Sequence, residues 1–423
     1  MDDRHALARV LQETGTELVN SKQMDEALAL LEGSVVEFAD MGADPVALAT
    51  KGALARCYFL SDRFADAVRA ADEILGPAEH GEHFAILADV LITKGSALVN
   101  LGRQLEGIAL VGTGGRLAEE HGLNATRFRA LNNQSVLTVE VEPARSFAVA
   151  NEGLALARRV GATAWVNNFI GNMTYLAVRL GDWDFVEREG TARLAEHAEA
   201  GDRVLIISNL ATPRIFRGTP VGDLEQDLAS LVDALPEQQI EPTRLDVAAM
   251  RLFVAGQYVE AADRWAAAAA VAPGFAAANA MAARAALWAG ETTKPAALLD
   301  RYDASHLYAP AQRATNDSIR AGIAALESPT GAETGAFIAA HKLLLALGLG
   351  LDAALVAIDA GVVLGPTPEV RPLLDQARTF FDERDATALL ARLDSIEAGE
   401  RAGPQPDAAA DLSPMADRAA RPA

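Results

Sequence analysis

Phe59-Leu60-Ser61-Asp62-Arg63-Phe64-Ala65-Asp66-Ala67, Leu180-Gly181-Asp182-Trp183-Asp184-Phe185 and Ala255-Gly256-Gln257-Tyr258-Val259-Glu260-Ala261-Ala262 repeat one pattern. An apolar or small residue closes a helix, a short turn follows, and an aromatic or apolar residue leads an Ala-rich helix. Weaker copies lie at Ser21-Lys22-Gln23-Met24-Asp25-Glu26-Ala27, Leu101-Gly102-Arg103, Val141-Glu142-Pro143 and Ala289-Gly290-Glu291. With Arg217-Gly218, the turns near Lys22, Asp62, Gly102, Glu142, Gly181, Gly218, Gly256 and Gly290 recur roughly 34 to 41 residues apart, the spacing of helix-turn-helix repeats. Glycine at a helix end supplies the left-handed conformation that closes it, and Asp or Ser beside it can cap the next helix.

The helices that follow these turns carry their own period. Ala67, Ala70, Ala71, Ile74 and Leu75 form one apolar face, and Ala155, Ala157 and Val160 another. A single hairpin cannot bury such a face, so neighbours must stack. Phe64, Phe185 and Tyr258 are expected to wedge between adjacent repeats. Half the chain is apolar, yet only 5% is aromatic. Ala and Leu dominate, as in Ala266 to Ala270 and Leu343 to Leu345, and these are strong helix formers. The expected fold is all-α, a tetratricopeptide-like αα-hairpin repeat superhelix.

Repeats are expected over 1–295, with further hairpins extending or capping the array over 296–398 and a disordered tail over 399–423. The tail is rich in Pro, Ala and Asp and has no apolar period. The prolines of Thr212 to Pro220 and Leu235 to Pro242 are expected to end or start helices, because proline lacks the N–H donor, and to bracket a shorter helix.

With 37 Lys and Arg against 58 Asp and Glu, the 423-residue chain carries a net charge of -21. No stretch forms the basic stripe that nucleic acid requires, so direct nucleic-acid binding is not expected. The single cysteine, Cys57, excludes an intramolecular disulfide framework and points to a reducing compartment. It lies in the apolar run Leu54 to Leu60 and should be buried. No apolar run approaches the ~20 residues that span a bilayer. A cytoplasmic protein without a membrane partner is expected.

No GxxxxGK[ST] loop occurs. Val111-Gly112-Thr113-Gly114-Gly115-Arg116 comes nearest, but it has no Lys and is better read as a loosened or bent second helix. His80 and His83, flanked by Glu79 and Glu82, have metal-like spacing, but Gly76-Pro77 and Gly81 point to a loop and no third ligand is near. His5, His121, His197, His306 and His341 are scattered, and no nucleophile elbow is present. No catalytic residue, metal or cofactor is expected.

Several segments resemble the tetratricopeptide-type region of large actinobacterial regulators, the ATP-dependent LuxR-type regulators and the ATPase-linked adenylate or guanylate cyclases. They are Gly153 to Ala162, Asn167 to Asn172, Arg179 to Trp183, Leu117 to Gly122, Leu347 to Leu355, Leu364-Gly365-Pro366 and Ala388 to Asp394. The resemblance runs from the first helix to about Glu397 and implies a regulatory arm without an activity of its own. The chain is then either a separate repeat protein or the C-terminal piece of a longer regulator or cyclase.

The expected partner is a protein or peptide. First helices of such repeats line the concave face of a superhelix, and aligning the units on their turns makes Lys94, Asn133, Asn172 and Asn209 nearly equivalent. Arg129 and Asn168 correspond one turn earlier, so Arg129 with Asn133, and Asn168 with Asn172, would form a polar ladder. An Asn side chain offers both a donor and an acceptor and can bind the backbone of an extended peptide. The competing expectation is that these Asn side chains satisfy neighbouring helix ends or face water. A homodimer through an uncapped first repeat is also compatible with this pattern.

Overall fold

The computed structural model describes residues 2–21, 23–196, 199–272, 276–303 and 308–399. Lys22 of the first turn, His197, His306 and the expected disordered tail from 400 onward lie outside them. Every regular element among the described residues is helical. In order, these are α1 (Asp2–Asn20), α2 (Met24–Glu37), α3 (Pro45–Leu60), α4 (Phe64–His80), α5 (Phe84–Asn100), α6 (Gln104–Glu120), α7 (Asn124–Thr138), α8 (Pro143–Val160), α9 (Thr163–Leu180), α10 (Trp183–Ala195) and α11 (Ala200–Phe216). There follow α12 (Gly222–Ser230), α13 (Glu237–Val254), α14 (Tyr258–Val271), α15 (Ala276–Trp288), α16 (Thr293–Asp303), α17 (Pro310–Glu327), α18 (Ala332–Ala346), α19 (Gly350–Leu364), α20 (Arg371–Asp382) and α21 (Thr387–Glu397). A single 3-10 turn, Ala39–Met41, follows α2.

The repeated turns read from the sequence are the helix junctions. Asp62, Gly102, Gly181, Gly218, Gly256 and Gly290 all have positive φ, between 58° and 90°, each between an odd-numbered helix and its even-numbered partner. That backbone state is cheap for glycine and tolerated by Asp, which explains the composition of the turns. Side-chain caps start some of the helices. Asp44 accepts a hydrogen bond from Val46 N at 2.8 Å with Pro45 in the first turn of α3, and Asp182 accepts from Phe185 N at 3.2 Å at the start of α10.

The described chain divides into two compact units, Met1–Leu176 with Asp303–Pro310, and Ala177–Tyr302 with Ala311–Ala423. In the first unit, each hydrophobic cluster draws on three consecutive helices. Val19, Ala27, Leu31, Leu54 and Cys57 come from α1 to α3, Leu48, Ala71, Ile74, Ala78 and Val90 from α3 to α5, and Ile92, Val111 and Ala130 from α5 to α7. Each hairpin's apolar face is thus closed by the first helix of the next hairpin. Burying one such Leu or Ile contributes about 1.5–3 kcal/mol. The second unit carries an aromatic cluster. Phe253 lies 4.5 Å from Trp288 and 5.4 Å from Trp265, centroid to centroid, with Tyr258 edge-on to both Phe253 and Trp288.

Four local expectations are corrected. Pro213 and Pro242 do not bound helices but lie buried inside α11 and α13. Each removes one backbone donor, and the burial of its ring and its neighbours outweighs that loss. The shorter helix between these segments is present as α12. Gly76-Pro77 does not open a loop either, since α4 continues to His80 with Ala78 fully buried beneath it.

The glycines of Val111 to Gly115 neither loosen nor bend their helix, for α6 is continuous. They let α6 approach α5. A Cβ on Gly114 would stand 2.7 Å from the Ala88 carbonyl oxygen, and one on Gly95 would stand 2.6 Å from the Gly107 carbonyl oxygen. Finally, the wedge residue of α10 is Trp183, which is fully buried, while Phe185 is half-exposed.

Candidate functional site

In the first unit α1, α3, α5 and α7 pack side by side as the first helices of successive hairpins. Between them lies a cleft of about 260 Å³. Its floor is apolar, made of Val19, Ala49, Gly52, Ala53, Ile86 and Val90, and its polar groups are Gln12, Thr16, Arg56, Asp89 and Thr126. Small residues on α3 keep it open, because Ala49, Gly52 and Ala53 leave room where larger side chains would fill the gap.

The polar groups are tied differently. Gln12 Nε2 donates to Thr16 Oγ1 at 2.9 Å, which in turn donates to the Gln12 carbonyl at 2.9 Å. Asp89 is held by Arg129 of α7, whose guanidinium also donates to the Asp89 carbonyl at 3.1 Å and to Thr93 Oγ1 at 2.6 Å. Among the described residues Arg56 reaches Asn20 Oδ1, at 3.1 Å from Nη1. No carboxylate among the described residues pairs with it. Burial pushes the pKa of its guanidinium down, the charge of Arg129 pushes it the same way, and Asp89 opposes them.

The expected ladder residues fall into two groups. Lys94 on α5 forms an ion pair with Asp72 of α4 at 2.5 Å. Asn172 Nδ2 donates to Asn132 Oδ1 at 2.9 Å, Asn132 Nδ2 to Asn133 Oδ1 at 3.4 Å, Asn133 Nδ2 to Ser96 Oγ at 2.9 Å, and Ser96 Oγ to the Ile92 carbonyl at 2.9 Å. A continuous relay therefore links α9, α7 and α5. Asn168 is half-buried, and Asn209 is buried on α11 in the second unit. Arg129, Asn133 and Asn172 each donate to a neighbouring first helix, and not to a helix end.

Arg56, Asp89 and Gln12 were not singled out from the sequence, although a signal exists. Arg56 interrupts Leu54-Ala55 and Cys57, and Asp89 interrupts Ala88 and Val90. A lone charge in an apolar helical run must either find a partner or face a cleft.

The second unit carries buried polar groups on the same kind of helix. Asp359 of α19, fully buried, accepts from Arg284 Nε at 2.9 Å and from Trp288 Nε1 at 2.7 Å. Burial raises the pKa of its carboxyl while the Arg284 charge opposes the rise. Cys57 is buried with its thiol pushed up by desolvation, so it is not poised as a nucleophile. Among the described residues no three His, Cys, Asp or Glu side chains stand close enough to hold a metal ion, and no helix is long and apolar enough to cross a membrane.

No protein-family model matches the chain, and no curated protein does. Among solved structures, yeast Tom70 is similar over 94% of this chain and 90% of its own, with 14% identity and a TM-score of 0.31. The TPR domain of P58(IPK) is similar over 89% of this chain and 98% of its own, with 12% identity and a TM-score of 0.21.

Proposed function

We propose that this chain is a non-catalytic helical repeat scaffold that binds a protein or peptide along the first-helix face of its first unit. The observation that supports this most is the cleft between α1, α3, α5 and α7. It joins an apolar floor to polar groups with unspent hydrogen-bonding capacity, the combination that orients a polypeptide segment. Its lining is drawn from four first helices, α1, α3, α5 and α7. The relay from Asn172 to Ser96 acts as the rigid backing of that face, holding α5, α7 and α9 in register.

The finer placement rests on the sequence resemblance. It makes the chain the regulatory arm of a signalling or transcriptional regulator, and the single cysteine suits a reducing compartment such as the cytoplasm. A C-terminal fragment of an ATP-dependent cyclase and a free-standing adaptor are the other forms that resemblance allows.

Filling the cleft tests the reading. Ala53 is half-buried on its floor, whereas Ala109 is exposed on α6. Full-length chain carrying Ala53→Trp should capture at least about tenfold less partner from a host lysate than wild type, with unchanged helicity by circular dichroism. Ala109→Trp should capture as much as wild type. Equal capture by wild type and Ala53→Trp would overturn the proposal.

A further inference from the structure

The side of α1 turned away from α3 is bare. Later in the first unit the corresponding side of each first helix is covered by the hairpin before it, α3 by α1 and α2, α5 by α3 and α4, and α7 by α5 and α6. On α1 this side carries Leu7, Val10, Leu11, Thr14 and Leu18, whose three- and four-residue spacing sets them on one stripe. Leu7 and Val10 are 46% and 56% exposed. Gln12, Thr16 and Val19 stand on the other side of the helix and line the cleft, so the stripe and the cleft are separate surfaces.

The stripe has an acidic border. Asp3, Glu13 and Glu17 lie one or two helical turns from Val10 along its edge, and all three are exposed. Among the described residues none of the three belongs to an ion pair. Of the two arginines on α1, Arg4 is spent on Asp40 at 2.7 Å, and Arg9, two residues from both Leu7 and Leu11, lies on the opposite side of the helix.

Helices close every such side further along the unit, so the shape left open on α1 is that of a helix. An incoming apolar stripe would pack on Leu7, Val10 and Leu11. A second copy of the same surface would bring like charges together, whereas Lys or Arg beside the incoming stripe would meet Asp3, Glu13 and Glu17. We propose that this side of α1 docks a basic amphipathic helix of another protein. This second surface works independently of the cleft.

The test is fluorescence anisotropy of the full chain with the labelled helix acetyl-Leu-Ala-Lys-Leu-Ala-Ala-Lys-Leu-Ala-Lys-Leu-Ala-Ala-Lys-Leu-amide and with its counterpart carrying Glu for every Lys. Wild type should bind the Lys helix about tenfold or more tightly than the Glu helix. Leu7→Gln with Val10→Gln, which keeps the acidic border and removes the apolar stripe, should weaken the Lys helix by about tenfold or more. Glu13→Gln with Glu17→Gln should cut the preference for Lys over Glu by about threefold or more. Helicity by circular dichroism should stay unchanged in both, since all four positions are exposed. Ala53→Trp, which fills the cleft, should bind the Lys helix as wild type does, and a loss there would move the helix to the cleft and overturn the proposal. Equal affinity of wild type and the Leu7→Gln, Val10→Gln chain for the Lys helix would overturn it too, because net charge alone would then explain the binding. A wild-type dimer in sedimentation equilibrium that the same double substitution dissolves would seat a second copy on the stripe and likewise exclude the basic helix.

Discussion

Asp246 on α13 is buried, with Trp265 Nε1 donating at 2.7 Å and Ser208 Oγ at 3.3 Å. No cation among the described residues pairs with it. Desolvation pushes its carboxyl up to about 6 from an ordinary 3.8, with the two hydrogen bonds opposing. The folded state therefore takes up a proton, between pH 4 and 6, that the unfolded state does not. Stability should rise as pH falls from 7 through 6 and level off near 4, by up to about 3 kcal/mol. Asp246→Asn should flatten that part of the urea-midpoint profile. A wild type and variant with parallel profiles would show that the carboxyl stays charged when folded. Asp246 was legible as a lone acid among Leu245, Val247 and Ala249. Its partners were not, because Ser208 and Trp265 lie on other helices and only folding brings them to it. The same holds for the ladder, where spacing placed Asn133 and Asn172 on one kind of helix, but their bonds to Ser96 and Asn132 depend on how neighbouring hairpins stack.

Helices and turns were the most legible part, since glycine and Asp at positive φ leave a direct mark on the sequence. Helical glycines were less so, because one residue type serves opposite ends. Gly33 in α2 faces open space, and Gly95 in α5 meets the backbone of α6 at 2.6 Å and Val111 at 2.8 Å. Gly33→Ala should stabilise by roughly 0.5–1 kcal/mol through the unfolded chain. Gly95→Ala should destabilise by about 2 kcal/mol, since backbone cannot move aside as a side chain can. Denaturant midpoints of the two variants shifting in the same direction would contradict this account of the α5–α6 seam. Pro213 and Pro242 misled for a related reason, as sequence shows the missing donor and not the burial that outweighs it.

At the scale of the molecule, the two units treat the first-helix face differently. In the second unit the last helices return onto the first. Arg384 donates to the Gly181 carbonyl at 2.9 Å and stacks on Phe380 at 3.9 Å, Arg217 donates to the Arg384 carbonyl at 2.9 Å, and Arg179 pairs with Asp352 at 3.1 Å. Gly181 permits this approach, as a Cβ there would stand 2.7 Å from the Phe380 ring. Arg384→Ala should lower the protection of α10 and α11 against hydrogen exchange by about tenfold or more while leaving α3 to α7 unchanged. Unaltered protection would mean that this junction adds nothing. No local pattern announces such a return, because its residues lie far apart in sequence. In the first unit the equivalent face keeps an open cleft, and the central claim is that a polypeptide partner occupies it. A photo-crosslinking residue placed at Ala53, and in a separate chain at Ala109, tests that claim most directly in host lysate. A polypeptide seated in the cleft gives a discrete adduct from position 53 and none from position 109. Adducts from 109 alone, or none from 53, would contradict it.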